Sequence, residues 1–229
     1  MPGPFVTASS VYRWLACHAL PTLPTEERPP GEAALIGTEV HDWLDGGRSK
    51  SSLSLAAQVM CEDFNKVKWQ STYETREHAY GYSPLTGEFF RFGRLPGPRQ
   101  YPDLPQPYIA GTVDGVSTVL DTLVIADIKT GRKHDYHWEQ IRALVFMASE
   151  GMGGVGKLVY RKETIKKVFS GGDMQEFRDQ VDAAFREMLF AEKLVDIGRD
   201  PDTTRGPHCR WCDSKKFCKE WNGTIGEKK

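Results

Sequence analysis

The sequence contains no apolar run long enough to cross a membrane, which takes about 20 consecutive residues. Its first residues lack the basic and apolar segments of a secretory signal. Internal repeats and low-complexity tracts are also missing. These absences argue against a membrane partner and a repeat architecture. They predict a cytoplasmic protein whose 229 residues form one domain, 1–229, with a sizeable core.

An excess of charge of either sign is missing too. The chain has 30 lysines and arginines against 31 acidic residues, a net charge of -1. Global charge therefore gives no reason to expect nucleic-acid binding, although phosphate contacts need only a local basic face. One such run lies from Lys129 to Lys133. A second group is either such a face or the solvated edge of a sheet, where lysines oppose aggregation: Arg161, Lys162, Lys166 and Lys167.

Hydrophobic periodicity predicts an α/β domain with a mixed central sheet flanked by helices. From residue 199 onward the chain is expected to be loop-like. Expected helices cover residues 7–17, 33–44, 52–69, 137–149 and 174–195, and expected strands cover 72–82, 88–92, 109–120, 123–129, 153–160 and 164–169.

Two apolar runs carry the residues with the clearest chemistry. Side chains alternate along a strand, so Asp127 and Lys129 point to one face while Ile128 points to the opposite, buried face. Asp114 enters from the neighbouring predicted strand. Acids of this kind bind Mg²⁺ or Mn²⁺ through hard oxygen ligands, and a lysine orients water or stabilises charge on a phosphate. The pattern is typical of phosphodiester hydrolysis.

These residues resemble the PD-(D/E)XK nucleases, and more narrowly their RecB-like branch. That branch has four marks: Gly-x-x-x-His, Gly-x-x-Asp, Asp-x-Lys-Thr and Gln-x-x-x-Tyr. Three match fully, and the fourth has leucine where tyrosine is usual. In family order the chain carries Gly37-Thr38-Glu39-Val40-His41, Gly111-Thr112-Val113-Asp114, Asp127-Ile128-Lys129-Thr130 and Gln140-Ile141-Arg142-Ala143-Leu144.

The resemblance implies the restriction-endonuclease-like fold and a role for each matching residue. His41, Asp114, Asp127 and the carbonyl of Ile128 would hold the metal ion. Lys129 would position water or stabilise the transition state. Gln140, one helix onward, would orient the lysine or the DNA backbone. The leucine at position 144 would remove a hydrogen bond to the substrate and leave the metal site intact.

The resemblance also implies the substrate. It points to DNA that is single-stranded or has a free end, and it leaves exonuclease against endonuclease action and RNA as a substrate open. A protein of another class, a non-catalytic DNA-binding subunit of a larger DNA-processing or defence complex, is the alternative. The intact Asp114, Asp127 and Lys129 argue against it.

Cysteine is scarce, with five in the chain. Three are clustered as Cys209-x2-Cys212-x5-Cys218, and Cys17 stands alone near the start. In a cytoplasmic protein such clustering favours a metal over disulfides. Cys61 lies within an amphipathic run and is most simply a small core residue.

One iron–sulfur subgroup of the RecB-like branch places one cysteine before the nuclease motifs and three after them, as in AddB-type and CRISPR-adaptation nucleases. The resemblance implies a [4Fe-4S] cluster on Cys17, Cys209, Cys212 and Cys218, joining residues 1–30 and 199–229. Structural zinc is the alternative, with His208 or His18 as a nitrogen ligand.

Two weaker signals have simpler explanations. Gly151 to Lys157 fits the first seven positions of a phosphate-binding loop, but Leu158 stands where serine or threonine must contact Mg²⁺. A glycine helix stop and turn explains it, so no nucleotide cofactor is expected. Tyr136 or Trp138 could stack on unpaired bases, but packing is the simpler interpretation.

Overall fold

The computed structural model describes residues 3–26, 29–97 and 99–222, apart from the side chains of Trp211 and Asn222. Within them the strands are β1 (Val6–Thr7), β2 (His78–Tyr82), β3 (Phe89–Arg94), β4 (Ile109–Val113), β5 (Gly115–Val119), β6 (Thr122–Lys129), β7 (Gly154–Tyr160) and β8 (Thr164–Phe169). The helices are α1 (Val11–Ala16), α2 (Glu32–Asp45), α3 (Leu55–Cys61), α4 (Lys66–Thr72), α5 (Tyr136–Ala148), α6 (Gly171–Asp196) and α7 (Lys219–Asn222).

The described strands form two mixed sheets, in the orders β1-β4-β2-β3 and β5-β6-β7-β8. The mixed α/β class is as predicted, but the single central sheet is wrong. The expected strand 109–120 is divided at Asp114. Before it, Val113 pairs with His78 of β2; after it, Gly115 pairs with Ala126 of β6. One chain segment therefore serves both sheets, and Asp114 lies where it passes between them.

Helix α5 connects β6 to β7, which pair in parallel and so need a crossover. It packs against β2, β4, β6 and β7 and so lies between the two sheets. The side chains from Ala143 to Ala148 are all buried. This helix brings Gln140, on its first turns, to the end of β6.

Strand β6 is covered on both faces. Ile125 belongs to the main core with α5 and α6, whereas Ala126 and Ile128 belong to a second core with α2, α3 and α4. Ile128 thus points away from Asp127 and Lys129, as the alternation of a strand predicts. Asp127 faces the α5 side, which carries Gln140.

Two predicted helices do not correspond to one observed helix each. The run 52–69 is two helices, α3 and α4, because two caps interrupt it: Ser54 accepts a hydrogen bond from Ala57 N, and Asn65 accepts one from Lys68 N. The run 7–17 begins with β1, because Val6 and Thr7 pair with β4, and the α-helix starts only at Val11.

The region after residue 199 contains only short turns and α7 within the described residues, close to the loop-like prediction. The glycine-rich stretch after α5 turns at Gly151 and Gly153, both with positive φ, and then enters β7. This is the helix stop and strand expected from sequence. No helix of the described residues has both the length and the apolar character needed to span a bilayer.

Candidate active site

Gly37 explains how α2 approaches the end of β6. A β-carbon on Gly37 would lie 2.9 Å from the hydroxyl oxygen of Thr130, the residue that follows β6. A glycine at this buried position therefore lets the helix pass close to Thr130. His41, four residues further along α2, then lies beside Asp114. Close packing thus couples the Gly-x-x-x-His motif to the threonine of Asp-x-Lys-Thr.

Asp114 is buried and held from two sides. Its Oδ2 accepts a hydrogen bond from the backbone N–H of Ile128 at 2.5 Å. Its Oδ1 lies 3.4 Å from Nδ1 of His41. The pairing of β5 with β6 ends at Gly115 and Ala126, so the Ile128 amide lies beyond the part of β6 that pairs with β5 and donates to the carboxylate.

Glu77 joins this pair, and no sequence motif marks it. One ligand atom each from His41, Glu77 and Asp114 lies within 4.8 Å of the other two. Glu77 immediately precedes β2 and has a φ of 56°. Its neighbour His78 pairs with Val113, so strand pairing places it beside Asp114. Only the pairing of residues far apart in sequence brings this third ligand into the site.

Asp127, Lys129 and Gln140 form a closed triangle on the other side of the site. The ammonium of Lys129 lies 2.7 Å from Asp127 Oδ2 and donates to Gln140 Oε1 at 2.6 Å. The Gln140 amide donates to Asp127 Oδ1 at 3.2 Å. The structure therefore brings together three of the four residues to which the family motifs assign catalytic roles, and Asp114 is the fourth.

The charges of His41 and Asp114 stabilise each other. Burial alone would lower the pKa of His41, but attraction to Asp114, with smaller attractions to Asp127 and Glu77, raises that pKa to about 9. Burial alone would raise the pKa of Asp114, but His41, the Ile128 amide and Lys129 hold it below its ordinary value. The two shifts share one cause, which is the attraction between the positively charged form of His41 and the negatively charged form of Asp114.

The pKa values of the other two acids, Asp127 and Glu77, are shifted upward. Burial raises the pKa of Asp127, and repulsion from Asp114 adds to the rise against the attraction of Lys129. Burial and repulsion from Asp114 raise the pKa of Glu77 to about 7, against the attraction of His41. Three carboxyl groups thus crowd one site with too little positive charge to neutralise them.

These groups suit a divalent cation such as Mg²⁺ or Mn²⁺, which takes carboxylate oxygens and, for Mn²⁺, imidazole nitrogen. Asp127 supplies an independent sign of fit. Its Oδ2 is buried, and the Lys129 ammonium lies 2.7 Å from it. Burial and the neighbouring Asp114 carboxylate oppose the ionised form of Asp127, so a divalent cation at the site would offset that cost.

A cavity of about 820 Å³ opens over the site. This volume is within the usual range for small-ligand sites, about 300–1,000 Å³. Ile128 lines it with the residues described above. The remaining wall combines basic and aromatic side chains, among them Arg94, Arg99, Tyr101, Arg132, His134 and Tyr136.

Leu144, at the usual tyrosine position of the fourth motif, lies in the core. It is fully buried. A β-carbon on Gly111 would lie 2.6 Å from Leu144 Cδ2 and 2.6 Å from Ala8 Cβ. The glycine of the second motif therefore admits α5 against β4. Leu144 fills the space between them and does not line the cavity over the acids.

Cys17, Cys209, Cys212 and Cys218 come together at the C-terminal end of α1, and no disulfide joins them. Cys17 ends α1, which contacts the turn containing Cys209. Burial raises the pKa of the Cys17 thiol, against a hydrogen bond with the backbone of Thr204. The thiols of Cys218, Cys212 and Cys209 add to that rise, so they lie within electrostatic reach of Cys17.

No three of the four sulfurs, all of them in described residues, lie within 4.8 Å of one another. Elsewhere, Cys61 is buried in the second core, as predicted.

The two basic groups differ. Lys129 belongs to the site, and Lys133 pairs with Glu163. In the second group Arg161 pairs with Asp63, while Lys166 and Lys167 lie on β8, an edge strand of its sheet. The second group therefore corresponds to the solvated-edge alternative.

This combination of fold and site defines a class of enzyme that hydrolyses phosphodiester bonds with a divalent metal ion. The chain belongs to the PD-(D/E)XK nuclease superfamily, whose family model matches residues 8–219. The crystal structure of SSO0001 resembles it with 13% identity and a TM-score of 0.41, over 83% of this chain and 72% of that one. No curated protein matches the chain.

Proposed function

We propose that the protein is a divalent-metal-dependent deoxyribonuclease of the RecB-like branch, acting on single-stranded DNA or on DNA ends. The observation that carries the proposal is the triangle of Asp127, Lys129 and Gln140 beside the buried pair of Asp114 and His41. A structural ion pair would need only one acid for its lysine. Here three acids and one lysine line a cavity wide enough for a nucleotide.

His41, Asp114, Asp127 and the Ile128 carbonyl would hold the cation, and Glu77 would add a carboxylate that the motif lacks. When bound, the cation supplies an activated water and neutralises charge on the phosphate. Asp114 is held ready for this role by the Ile128 amide and His41.

Lys129 keeps a positive charge at the wall of the cavity, where negative charge develops on the phosphate. Gln140 fixes the position of its ammonium through the 2.6 Å hydrogen bond. The same amide holds Asp127 Oδ1, so one side chain orients both groups. Gln140 is therefore a positioning residue for the lysine and the acid together.

We also propose that Cys17, Cys209, Cys212 and Cys218 hold a [4Fe-4S] cluster and that residues 1–30 and 199–229 form this part of one domain. Residues 1–2, 27–28 and 223–229 of those segments lie outside the described residues. Four thiolates are the usual ligand set of such a cluster, and structural zinc on the same cysteines, with His208 or His18 as a nitrogen ligand, is the alternative.

Cleavage assays test the nuclease. Purified protein should cleave labelled single-stranded or duplex DNA in Mn²⁺ or Mg²⁺ and lose that activity in a chelator. Failure to cleave any DNA or RNA with either metal would favour the accessory DNA-binding subunit instead.

A further inference from the structure

Three flat rings stack in a row beside the active site. Tyr12 and Tyr136 have centroids 4.6 Å apart and planes 16° apart. His134 stacks on Tyr136 with centroids 4.9 Å and planes 12° apart. These values are those of offset stacking between aromatic side chains. The three rings form one near-parallel series, called here the ring stack.

The ring stack lies outside the hydrophobic core. Tyr12 and Tyr136 are half-buried, His134 is exposed, and none of the three packs into the main core cluster. Trp138, two residues later on α5, does pack against that core. Packing therefore accounts for Trp138, as expected from sequence, but not for the outer end of the stack.

The ring stack begins at the wall of the catalytic cavity. His134 and Tyr136 line the cavity that contains Asp127 and Lys129. His134 lies on the short connection between β6, which ends with Lys129, and α5, and Tyr136 is the first residue of α5. From there the stack runs to Tyr12 on α1, which lines a second, neighbouring cavity.

Neighbouring residues hold His134, the exposed end of the ring stack, in place. Its backbone oxygen accepts a hydrogen bond from His137 N at 3.1 Å, which fixes the connection to the start of α5. Tyr136 stacks on the imidazole. The ring of His137 meets it edge-on, with the two ring centroids 5.4 Å apart. The exposed imidazole lines the cavity and offers a flat aromatic ring there.

A cation accompanies this surface. Arg132 is exposed, lines the same cavity, and makes no ion pair or hydrogen bond to any of the described residues. The adjacent Lys133, by contrast, pairs with Glu163. A flat ring with an arginine beside it is the combination that binds one unpaired base and its phosphate.

We propose that the ring stack is a subsite for one unpaired nucleobase, which stacks on His134 next to the reacting phosphate, while Arg132 holds a neighbouring phosphate. The inference rests on the proposed nuclease function and narrows its substrate to strands with an unpaired base at the site. A base within a duplex has both faces covered by its neighbours, so it cannot continue the stack.

The test measures binding and cleavage separately. Affinity for a short single-stranded oligonucleotide is measured by fluorescence anisotropy in a chelator, with and without the bases (an all-abasic strand of the same length). His134→Ala should weaken binding of the normal strand about tenfold, as one lost base stack implies. It should leave the abasic strand unaffected. His134→Phe, which restores a flat ring, should bind the normal strand as the wild type does.

Arg132→Ala should weaken both strands equally, because it removes a phosphate contact, whereas Lys162→Ala, on an exposed turn between β7 and β8, should weaken neither. In cleavage assays His134→Ala should raise KM on single strands and leave kcat unchanged. Equal affinity of wild type and His134→Ala for the normal strand would overturn the inference, whether or not the protein cleaves DNA. Loss of stacking affinity in a protein that cleaves nothing would support the subsite and refute the nuclease.

Discussion

The Lys129 ammonium lies 2.7 Å from Asp127 Oδ2, across the one residue that separates them in β6. Alternation along the strand places both on one face. Gln140 contacts both from α5, so neither group is free to turn away. The acid and the lysine are therefore held in fixed relation before any substrate binds.

Loss of the Gln140 amide should reduce the rate of cleavage without unfolding the protein. Gln140→Leu keeps the size of the side chain but removes both hydrogen bonds. We expect kcat to fall about tenfold to a hundredfold, the scale for misplaced catalytic groups, while KM and thermal stability change little. Gln175→Leu is the control, because Gln175 donates a similar hydrogen bond to Asp179 on the exposed face of α6. Equal rates for the two variants would show that Gln140 positions nothing.

Glu77 should contribute to metal affinity. Removing one carboxylate from a hard-cation site lowers the ligand charge that sets its affinity. We expect Glu77→Gln to weaken Mn²⁺ binding at least about tenfold in calorimetric titrations. The exposed Glu62→Gln variant should bind as the wild type does. Unchanged Mn²⁺ affinity in Glu77→Gln would remove Glu77 from the ligand set.

Gly111 should tolerate no larger residue, because Ala8 and Leu144 already occupy the space of a β-carbon. Overpacking of this kind costs about 1–3 kcal/mol of unfolding free energy. Urea denaturation of Gly111→Ala should show that loss, whereas Gly131→Ala, with open space around it, should not. Wild-type stability in Gly111→Ala would mean that α5 shifts freely.

His137 should make stability depend on pH. Burial, with repulsion from Lys129 and His134, lowers its pKa to about 4, and its Nδ1 lies 2.8 Å from the Tyr160 hydroxyl. Between the ordinary pKa of histidine, about 6.5, and about 4, the unfolded chain binds a proton that the folded protein does not. Folding stability should therefore fall as the pH falls through that window.

Urea denaturation at several pH values checks this. His137→Leu should show a shallower loss of stability between about pH 6.5 and 4 than the wild type. Identical slopes for the two proteins would mean that His137 titrates normally in the folded state.

The cysteines should bind iron. Anaerobically purified protein should be brown and hold about four irons per chain, as a four-thiolate cluster implies. Replacing any one of the four cluster cysteines by serine should bleach the colour: Cys17, Cys209, Cys212 or Cys218. Cys61→Ser should keep the colour, because Cys61 lies in the second core. A colourless protein with one zinc would replace the cluster and leave the nuclease proposal intact.

Local patterns predicted the parts of the site that lie on one element. The period of β6 placed Asp127 and Lys129 on one face. The family motifs, rather than a local period, marked His41 and Asp114. Neither signal marked Glu77, because its position depends on the pairing of β2 with β4 and on a left-handed backbone.

The errors in the fold have similar causes. Apolar spacing from 52 to 69 continues across two helices, and only the caps at Ser54 and Asn65 mark the break. Apolar and β-branched residues continue on both sides of Asp114, so the hydrophobic pattern does not show that the strand changes partner there. Both features depend on tertiary pairing and capping rather than on hydrophobic pattern.

The most direct test of the central claim is the cleavage of end-labelled DNA by Asp127→Ala in Mn²⁺ and Mg²⁺. The matched control is Asp179→Ala, on the exposed face of α6. Circular dichroism and thermal melting establish that both variants are folded. We predict no cleavage above background by Asp127→Ala and wild-type cleavage by Asp179→Ala. Undiminished cleavage by folded Asp127→Ala would contradict the assignment of this site as the centre of phosphodiester hydrolysis.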